Sequence, residues 1–302
     1  MGAKYRQWQR RIGSIQSTIK ITRAMELVAA SRIVKAQNRL IQARPYAERI
    51  QQAIRELAGI TEVEHEFPLL KPRDEIRSSG VLVITSDRGL AGAYNSNVIR
   101  VGVNLIREAE NAGRSTSIHS VGRKGLSYFR FRGYPLASQT TGISDTPAFA
   151  DAEALGDRLV KAFVDGEVDE VRIAYTDFRS AGSQVATSTR ILPIAREEVE
   201  ATKGEINPLY EFEPEPGEIL SLLLPRYVNT VIFACLLESS ASEHAARRRA
   251  MKAATDSGQD LIKYYTRIAN RERQAEITSE IMEVVGGAEA LRERDKASAA
   301  AG

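Results

Sequence analysis

Residues 12–57 read IGSIQSTIKITRAMELVAASRIVKAQNRLIQARPYAERIQQAIREL, and a stripe of apolar side chains runs through them in alternating steps of three and four. The steps meet fourteen positions, where roughly six apolar residues would be expected by chance, and only Thr22 and Glu26 are not apolar. This heptad seam predicts one coiled-coil helix of about 69 Å, which Pro45 bends near residues 42–44 without necessarily ending it. The seam comprises Ile12, Ile15, Ile19, Thr22, Glu26, Ala29, Ile33, Ala36, Leu40, Ala43, Ala47, Ile50, Ile54 and Leu57.

The other end of the chain carries a second seam. Residues 226–285 contain no proline and one internal glycine, Gly258, so a helix of about 60 residues and 90 Å is expected there. Neither helix can bury its stripe on itself, and antiparallel pairing of the two is the simplest intramolecular solution. The second helix is longer by some 20 Å, so part of it must project or find another partner. Its seam is read as Met251, Ala254, Gly258, Leu261, Tyr265, Ile268, Glu272, Ala275, Ser279 and Met282.

Between the seams the apolar period changes. Strands are predicted at 81–85, 115–121, 171–176 and 184–192, and helices at 95–112, 124–132 and 146–165. Alternation of strands and helices is typical of a mainly parallel sheet covered by helices. The expected fold is therefore an antiparallel two-helix coiled coil of the N- and C-terminal segments, with a mainly parallel α/β domain inserted between them. We expect residues 1–60 to form the N-terminal coiled-coil helix, 61–215 the α/β domain with its connecting segments, and 216–302 the C-terminal coiled-coil helix.

Charge is distributed unevenly along the chain. Residues 1–50 hold eleven Lys and Arg against two acids, a balance of +9, so the other 252 residues must sum to −6 to give the net +3. The segment 241–275 is again basic, with eight cations against four acids. This pattern fits either a polyanionic or acidic partner for the two ends, or simply solvated helix faces.

Signs of a self-contained active site are weak. One cysteine and three scattered histidines exclude a Cys/His zinc site of the usual spacings, and we expect no metal and no cofactor. The segment 86–92 (SDRGLAG) follows a predicted strand but lacks both GxGxxG and GK[ST]. No Ser/His/Asp or Cys/His set can be assembled, so no catalytic residue is predicted. The longest apolar run, 231–237, is far too short to span a bilayer.

Four motifs together resemble one family. Residues 19–32 (IKITRAMELVAASR) closely resemble the N-terminal helix of the γ subunit of F-type ATP synthases of the bacterial type, and residues 277–290 (ITSEIMEVVGGAEA) fit that family's C-terminal signature. Residues 242–256 (SEHAARRRAMKAATD) resemble the preceding helical block. The segments 86–92 and 209–214 (LYEFEP) are similar to family segments too. The resemblance covers essentially the whole chain.

This resemblance implies a central rotor shaft, present once per complex, that carries rotation between the membrane c ring and the catalytic α3β3 ring. Ion flow then drives ATP synthesis, or ATP hydrolysis drives ion pumping. The implied partners are the α, β and ε subunits and the c ring, at the cytoplasmic face of the bacterial membrane. The resemblance places contacts with the α/β ring at Met25, Arg247, Gln274, Thr278 and Glu280, and foot contacts with the c ring at Tyr210 and Glu211.

Two other functions stay open at this point. The basic N-terminal segment also fits a coiled-coil nucleic-acid-binding protein, although no reading motif accompanies it. A nucleotide-dependent α/β enzyme is the third possibility, with segment 86–92 as its phosphate loop. A nucleic-acid-binding protein would bind DNA tightly and with a steep dependence on salt, whereas a nucleotide-dependent enzyme would bind nucleotide stoichiometrically as the isolated chain.

Overall fold

Two very long helices and a five-stranded sheet make up the computed structural model, which describes residues 3–58, 67–195, 213 and 215–300. The elements in chain order are α1 (Ala3–Ala58), β1 (Ser78–Ile84), α2 (Tyr94–Asn111), β2 (Ser115–Val121), α3 (Arg123–Phe131), β3 (Leu136–Thr140), α4 (Phe149–Val164), β4 (Glu170–Phe178), β5 (Gln184–Leu192) and α5 (Pro216–Ala300). They divide into two compact units. Unit 1 comprises Met1–Glu26 with Met251–Gly302, and unit 2 comprises Leu27–Ala250.

The predicted seam of α1 is confirmed. None of its fourteen positions is exposed, and α1 continues through Pro45 rather than ending there. Within unit 1, α1 pairs with α5 in the antiparallel sense, because residue numbers that rise along one helix meet falling numbers on the other. Trp8 stacks on Tyr265, and Thr22 is hydrogen-bonded to Thr255.

The predicted seam of α5 is confirmed at five of its ten positions and wrong at the other five. The confirmed residues are Met251, Gly258, Tyr265, Ile268 and Glu272, which are buried or half-buried. Buried and half-buried positions proceed from Met251 in steps of four and then three: Thr255, Gly258, Ile262, Tyr265, Ala269, Glu272 and Glu276. The residues assigned wrongly are Ala254, Leu261, Ala275, Ser279 and Met282, all exposed. Apolar side chains occupy both phases, as in the pair Leu261 and Ile262, so hydrophobicity alone did not decide between them. Burial of the polar Thr255 against Thr22 did.

The sheet of unit 2 has the order β3-β2-β1-β4-β5, with only β5 antiparallel, which confirms a mainly parallel sheet. Its two faces are both covered. Leu82 and Ile84 of β1 join a core with α4 and with the parts of α1 and α5 that belong to unit 2, whereas Val81 and Val83 join a second core with α2. Alternation along one strand thus places β1 at the centre of three layers.

Strand β3 is the element that the sequence analysis missed. Its five residues are LASQT, and their burial alternates between half-exposed and exposed. So little apolar character carries no strand signal, and β3 exists because it pairs in parallel with β2 at the sheet edge.

Helix α5 also contains an 18-residue window of mean hydropathy 1.7, apolar enough to cross a membrane by length and composition. Of that window, 44% is buried within the chain. Leu220, Leu224, Val228 and Ile232 of α5 lie in the first core of unit 2. Packing inside the chain is therefore a sufficient reason for the apolar character of this helix.

Candidate functional site

An uncovered apolar surface marks the end of α5 in unit 1. From Ile277 to Arg292 every described side chain is exposed. The apolar ones recur at helical spacing, and their exposed fractions range from 44% at Ile277 to 72% at Val284. We call this surface the apolar tip; it comprises Ile277, Ile281, Met282, Val284, Val285 and Leu291. Exposed apolar side chains grouped at one helix end are typical of a surface that another protein covers.

Three of the predicted contact residues flank this tip. Gln274, Thr278 and Glu280 are all exposed. The hydroxyl of Thr278 donates to the backbone carbonyl of Gln274 over 2.9 Å. Gln274 and Thr278 thus share one side of the helix beside the apolar tip, whereas Glu280 lies on the opposite side.

Met25 lies elsewhere in unit 1, on α1, and is half-buried. Its neighbour Glu26 is buried and forms an ion pair with Arg23, 3.0 Å between Nη1 and Oε2. Three residues earlier, Thr22 makes its 2.7 Å hydrogen bond to Thr255. Both polar residues of the α1 seam therefore have partners inside the chain. Thr22 bonds across to α5 and favours one register of the helix pair, whereas the partner of Glu26 lies on α1 itself.

Arg247 is placed differently from the other predicted contacts. It is 6% exposed and belongs to unit 2. Its Nη2 donates to Glu243 Oε1 over 2.6 Å and to the backbone carbonyls of Gly89 and Arg88 over 3.3 and 3.4 Å. These partners occupy the guanidinium within the chain. Sequence reasoning missed this internal role because the loop that accepts the bonds lies 158 residues away.

The bonds of Arg247 belong to a larger feature, a crevice at the sheet edge into which α5 packs. Ligands of open α/β sheets bind outside the carboxyl ends of the strands where the strand order reverses, here between β1 and β4. The loop after β1 receives Arg247 at that place. Arg249, two residues on, donates to the carbonyls of Ala181 and Gly182 after β4, over 3.0 and 3.3 Å. Side chains of α5 thus occupy the place where a nucleotide would be expected.

Segment 86–92 itself is not arranged for phosphate. The Asp87 carboxylate accepts hydrogen bonds from the backbone N–H groups of Arg123, Gly142 and Ser144. The carboxylate therefore occupies the backbone N–H groups of this loop region and adds a negative charge. A phosphate site instead leaves such N–H groups free to bind the ligand. The structure gives no support to the phosphate loop considered above.

Buried charges surround this contact between α5 and the loops. Arg32 of α1 pairs with Asp145, and His244 of α5 lies 3.4 Å from the same carboxylate. Burial, with Arg247, Arg32 and Arg88 nearby, lowers the pKa of His244 to about 4, so its imidazole is neutral. Burial also raises the pKa of Glu243, although Arg247 opposes the rise. These residues tie α5 to the α/β layers of unit 2.

Side chains that could bind a metal ion do not cluster in the described parts of the chain. Within residues 3–58, 67–195 and 215–300, no group of three His, Cys, Asp or Glu side chains could hold a metal ion. The predicted foot residues, Tyr210 and Glu211, lie outside the described residues.

The fold and the uncovered apolar tip are typical of one class of protein, a subunit of a larger assembly. The family model described as ATP synthase matches residues 4–291. An ATP synthase gamma chain of Frankia casuarinae is 50% identical over 296 residues, which cover 96% of this chain and 99% of that one. The gamma chain of Acidothermus cellulolyticus is 49% identical, with 96% and 98% covered.

Solved structures agree. A chain of the central stalk and c-ring structure of Tetrahymena thermophila mitochondrial ATP synthase is 27% identical, with a TM-score of 0.60 over 78% of this chain and 99% of that one. A chain of Euglena gracilis mitochondrial ATP synthase, 17% identical, shares the fold with a TM-score of 0.66 over 96% and 95%. The chain belongs to the ATP synthase gamma chain family and is a rotor-shaft subunit of that ATP-synthesising enzyme. The nucleic-acid alternative receives no support from these comparisons.

Proposed function

We propose that the helix pair of unit 1 is the part of the rotor shaft that turns inside the α3β3 ring, with the apolar tip as its bearing surface. The observation that carries this proposal is the uncovered run from Ile277 to Leu291. Exposed apolar area of this extent is costly in water and is removed when a ring of subunits closes around it. Apolar contacts also contain no directional hydrogen bonds that would have to break each time the shaft turns.

The remaining proposed contacts follow from the same placement. Met25, Gln274, Thr278 and Glu280 touch the α/β ring through the exposed surface of unit 1. Arg247 was expected in the same group, but its bonds inside unit 2 favour a role in holding α5 to the α/β layers. Tyr210 and Glu211 contact the c ring, and ε binds beside it. In this proposal the chain is divided as predicted, with 1–60 and 216–302 forming the shaft and 61–215 the globular part.

In this role the chain transmits work and has no catalytic site of its own. One charge crossing 100 mV supplies only about 2.3 kcal/mol, so several crossings must be pooled for each ATP made. A stiff helix pair can pool them mechanically. Because its faces differ, turning it inside a threefold ring presents a different surface to each β subunit and shifts that subunit between conformations. In this proposal the chain is peripheral to the membrane and lies at the cytoplasmic face of the bacterial cell membrane.

The test is a double substitution in the tip, Ile281→Asp with Val284→Asp. Both side chains are more than half exposed, at 56% and 72%, so the chain itself should fold as before. We expect binding to isolated α3β3 to weaken at least about a hundredfold, because two carboxylates would be buried without partners. Phe131→Asp is the matched control, since Phe131 is 88% exposed but lies on α3. Equal binding by the tip variant and the wild type would refute the proposal.

A finer test concerns the polar residues. Gln274→Ala together with Thr278→Ala leaves the apolar tip intact and should reduce ATP-driven turnover or coupled synthesis in the reconstituted complex by several-fold. Unchanged coupled synthesis would remove these two residues from the proposed contacts while leaving the bearing surface in place.

A further inference from the structure

A cavity of about 820 Å³ lies in unit 2, apart from the crevice and from the apolar tip. Residues 37–47 of α1 and 230–238 of α5 form two of its walls, and Phe149 of α4 and Phe178 of β4 close it on the α/β side. Its volume falls in the range of about 300–1,000 Å³ that is usual for small-molecule sites.

Aromatic rings line much of this cavity. Tyr46 meets Phe149 edge to face with ring centroids 6.2 Å apart, and Phe149 meets Phe233 in the same way at 5.5 Å. Tyr46 is 48% exposed, so part of the aromatic wall is open to solvent. Such rings offer a negative face to a cation and a large apolar area to the body that carries it.

One acid stands among these rings. Glu238 accepts a hydrogen bond from the backbone N–H of Phe178, but its Oε2 is buried and has no hydrogen-bond partner in the part of the chain that the structure describes. A buried carboxylate oxygen without a partner is costly, and it is where a ligand's donor would gain most.

The charges that face Glu238 come from each element around it. Asp177 and Tyr175 lie on β4, Cys235 on α5 and Arg44 on α1. Burial first, and then Asp177, raise the pKa of Glu238 to about 7, while Arg44 acts in the opposite direction without a hydrogen bond to the carboxylate. The second arginine of the lining, Arg179, is held by Asp177 over 3.1 Å. Glu238 therefore remains at the aromatic wall as an acid that neither arginine holds by a hydrogen bond in the described residues.

We propose that this cavity binds a small organic cation, a protonated amine on an apolar body, with the ammonium group at Glu238 and the body against Tyr46, Phe149 and Phe233. The ammonium group pairs with the Glu238 carboxylate, which belongs to the lining, and the rings cover the apolar part. The proposal rests on unit 2 alone and is independent of the function proposed for the apolar tip.

The probe is 4-benzylpiperidine, which is cationic at neutral pH, with 4-benzyltetrahydropyran as its neutral isostere. Calorimetric titration of the 302-residue chain at pH 8 should show one site for the amine and at least about tenfold weaker binding of the isostere. Glu238→Gln should weaken amine binding at least about tenfold and leave the isostere unchanged. Tyr46→Ala should weaken both ligands. Glu48→Gln, which removes an exposed carboxylate of α1 outside the lining, should change neither.

A proton count distinguishes this site from adventitious binding. Near pH 6.5 the Glu238 carboxyl is partly protonated, so binding of the amine must release part of a proton, whereas Glu238→Gln must release none. Titration in two buffers of different ionisation enthalpy measures that release. Absence of amine binding, or binding that Glu238→Gln leaves as tight as before, would overturn the proposal.

Discussion

The two helices of unit 1 approach each other closely at Gly258, which provides a direct test of their pairing. A Cβ atom on Gly258 would lie 2.7 Å from Cγ1 and 3.1 Å from Cδ1 of Ile19, and 3.8 Å from Cγ2 of Ile15. Ordinary contacts of this kind begin near 3.4 Å. Gly258→Leu must therefore push the helices apart or force Ile19 out of its rotamer.

Two opposing effects set the magnitude. Leucine in place of glycine stabilises a helix interior by about 1 kcal/mol. Extra methylenes in a packed core cost typically about 1–3 kcal/mol, and four added carbons belong at the upper end of that range. The net expected loss is about 2 kcal/mol. Ile19→Ala removes the two atoms that the new side chain would meet. Gly258→Leu should therefore cost little stability in the Ile19→Ala background, which corresponds to a coupling energy of about 2 kcal/mol.

Trp8 makes the measurement specific. It is the only tryptophan of the chain, and in unit 1 it stacks on Tyr265 with ring centroids 5.3 Å apart. Its fluorescence during urea unfolding therefore reports the helix pair. Glu153→Ala, on the exposed face of α4 in unit 2, serves as a control that should leave the Trp8 transition in place. Strictly additive losses for Gly258→Leu and Ile19→Ala would refute the close approach of these two residues.

Three further outcomes are expected. Thr255→Val removes the 2.7 Å hydrogen bond to Thr22 and should lower the stability reported by Trp8 by about 1 kcal/mol, whereas an unchanged urea midpoint would contradict that bond. Gly122→Ala should destabilise unit 2 by about 3 kcal/mol or more, seen as faster amide exchange of the sheet, because φ is 87° and the new Cβ would lie 2.2 Å from the Thr85 carbonyl oxygen. Folding raises the pKa of Glu238 from 4.5 to about 7, so its contribution to stability is lost as pH rises through this interval. Glu238→Gln should therefore stabilise the chain at pH 8 relative to pH 5 by about 1–2 kcal/mol after allowance for partial exposure, and parallel pH profiles of variant and wild type in thermal unfolding would argue against it.

Much of the fold was predictable because its signals are local and periodic. The α1 seam repeats over 46 residues, so a single polar break such as Thr22 does not hide it. Strands β2 and β5 were predicted at their observed bounds since each lies between clear turn signals. The phase of the α5 seam and the short edge strand β3 were not predictable, because the partners that fix them are distant in sequence.

The functional surface divides in the same way. Sequence alone determined that the C-terminal helix is longer than the N-terminal one, because helix length is a property of a single segment. Only the tertiary structure decided that Arg247 turns inward to the loop after β1, and that Glu238 faces aromatic rings from three other elements. Both depend on which distant residues share a space, and a linear pattern of residues does not contain that information.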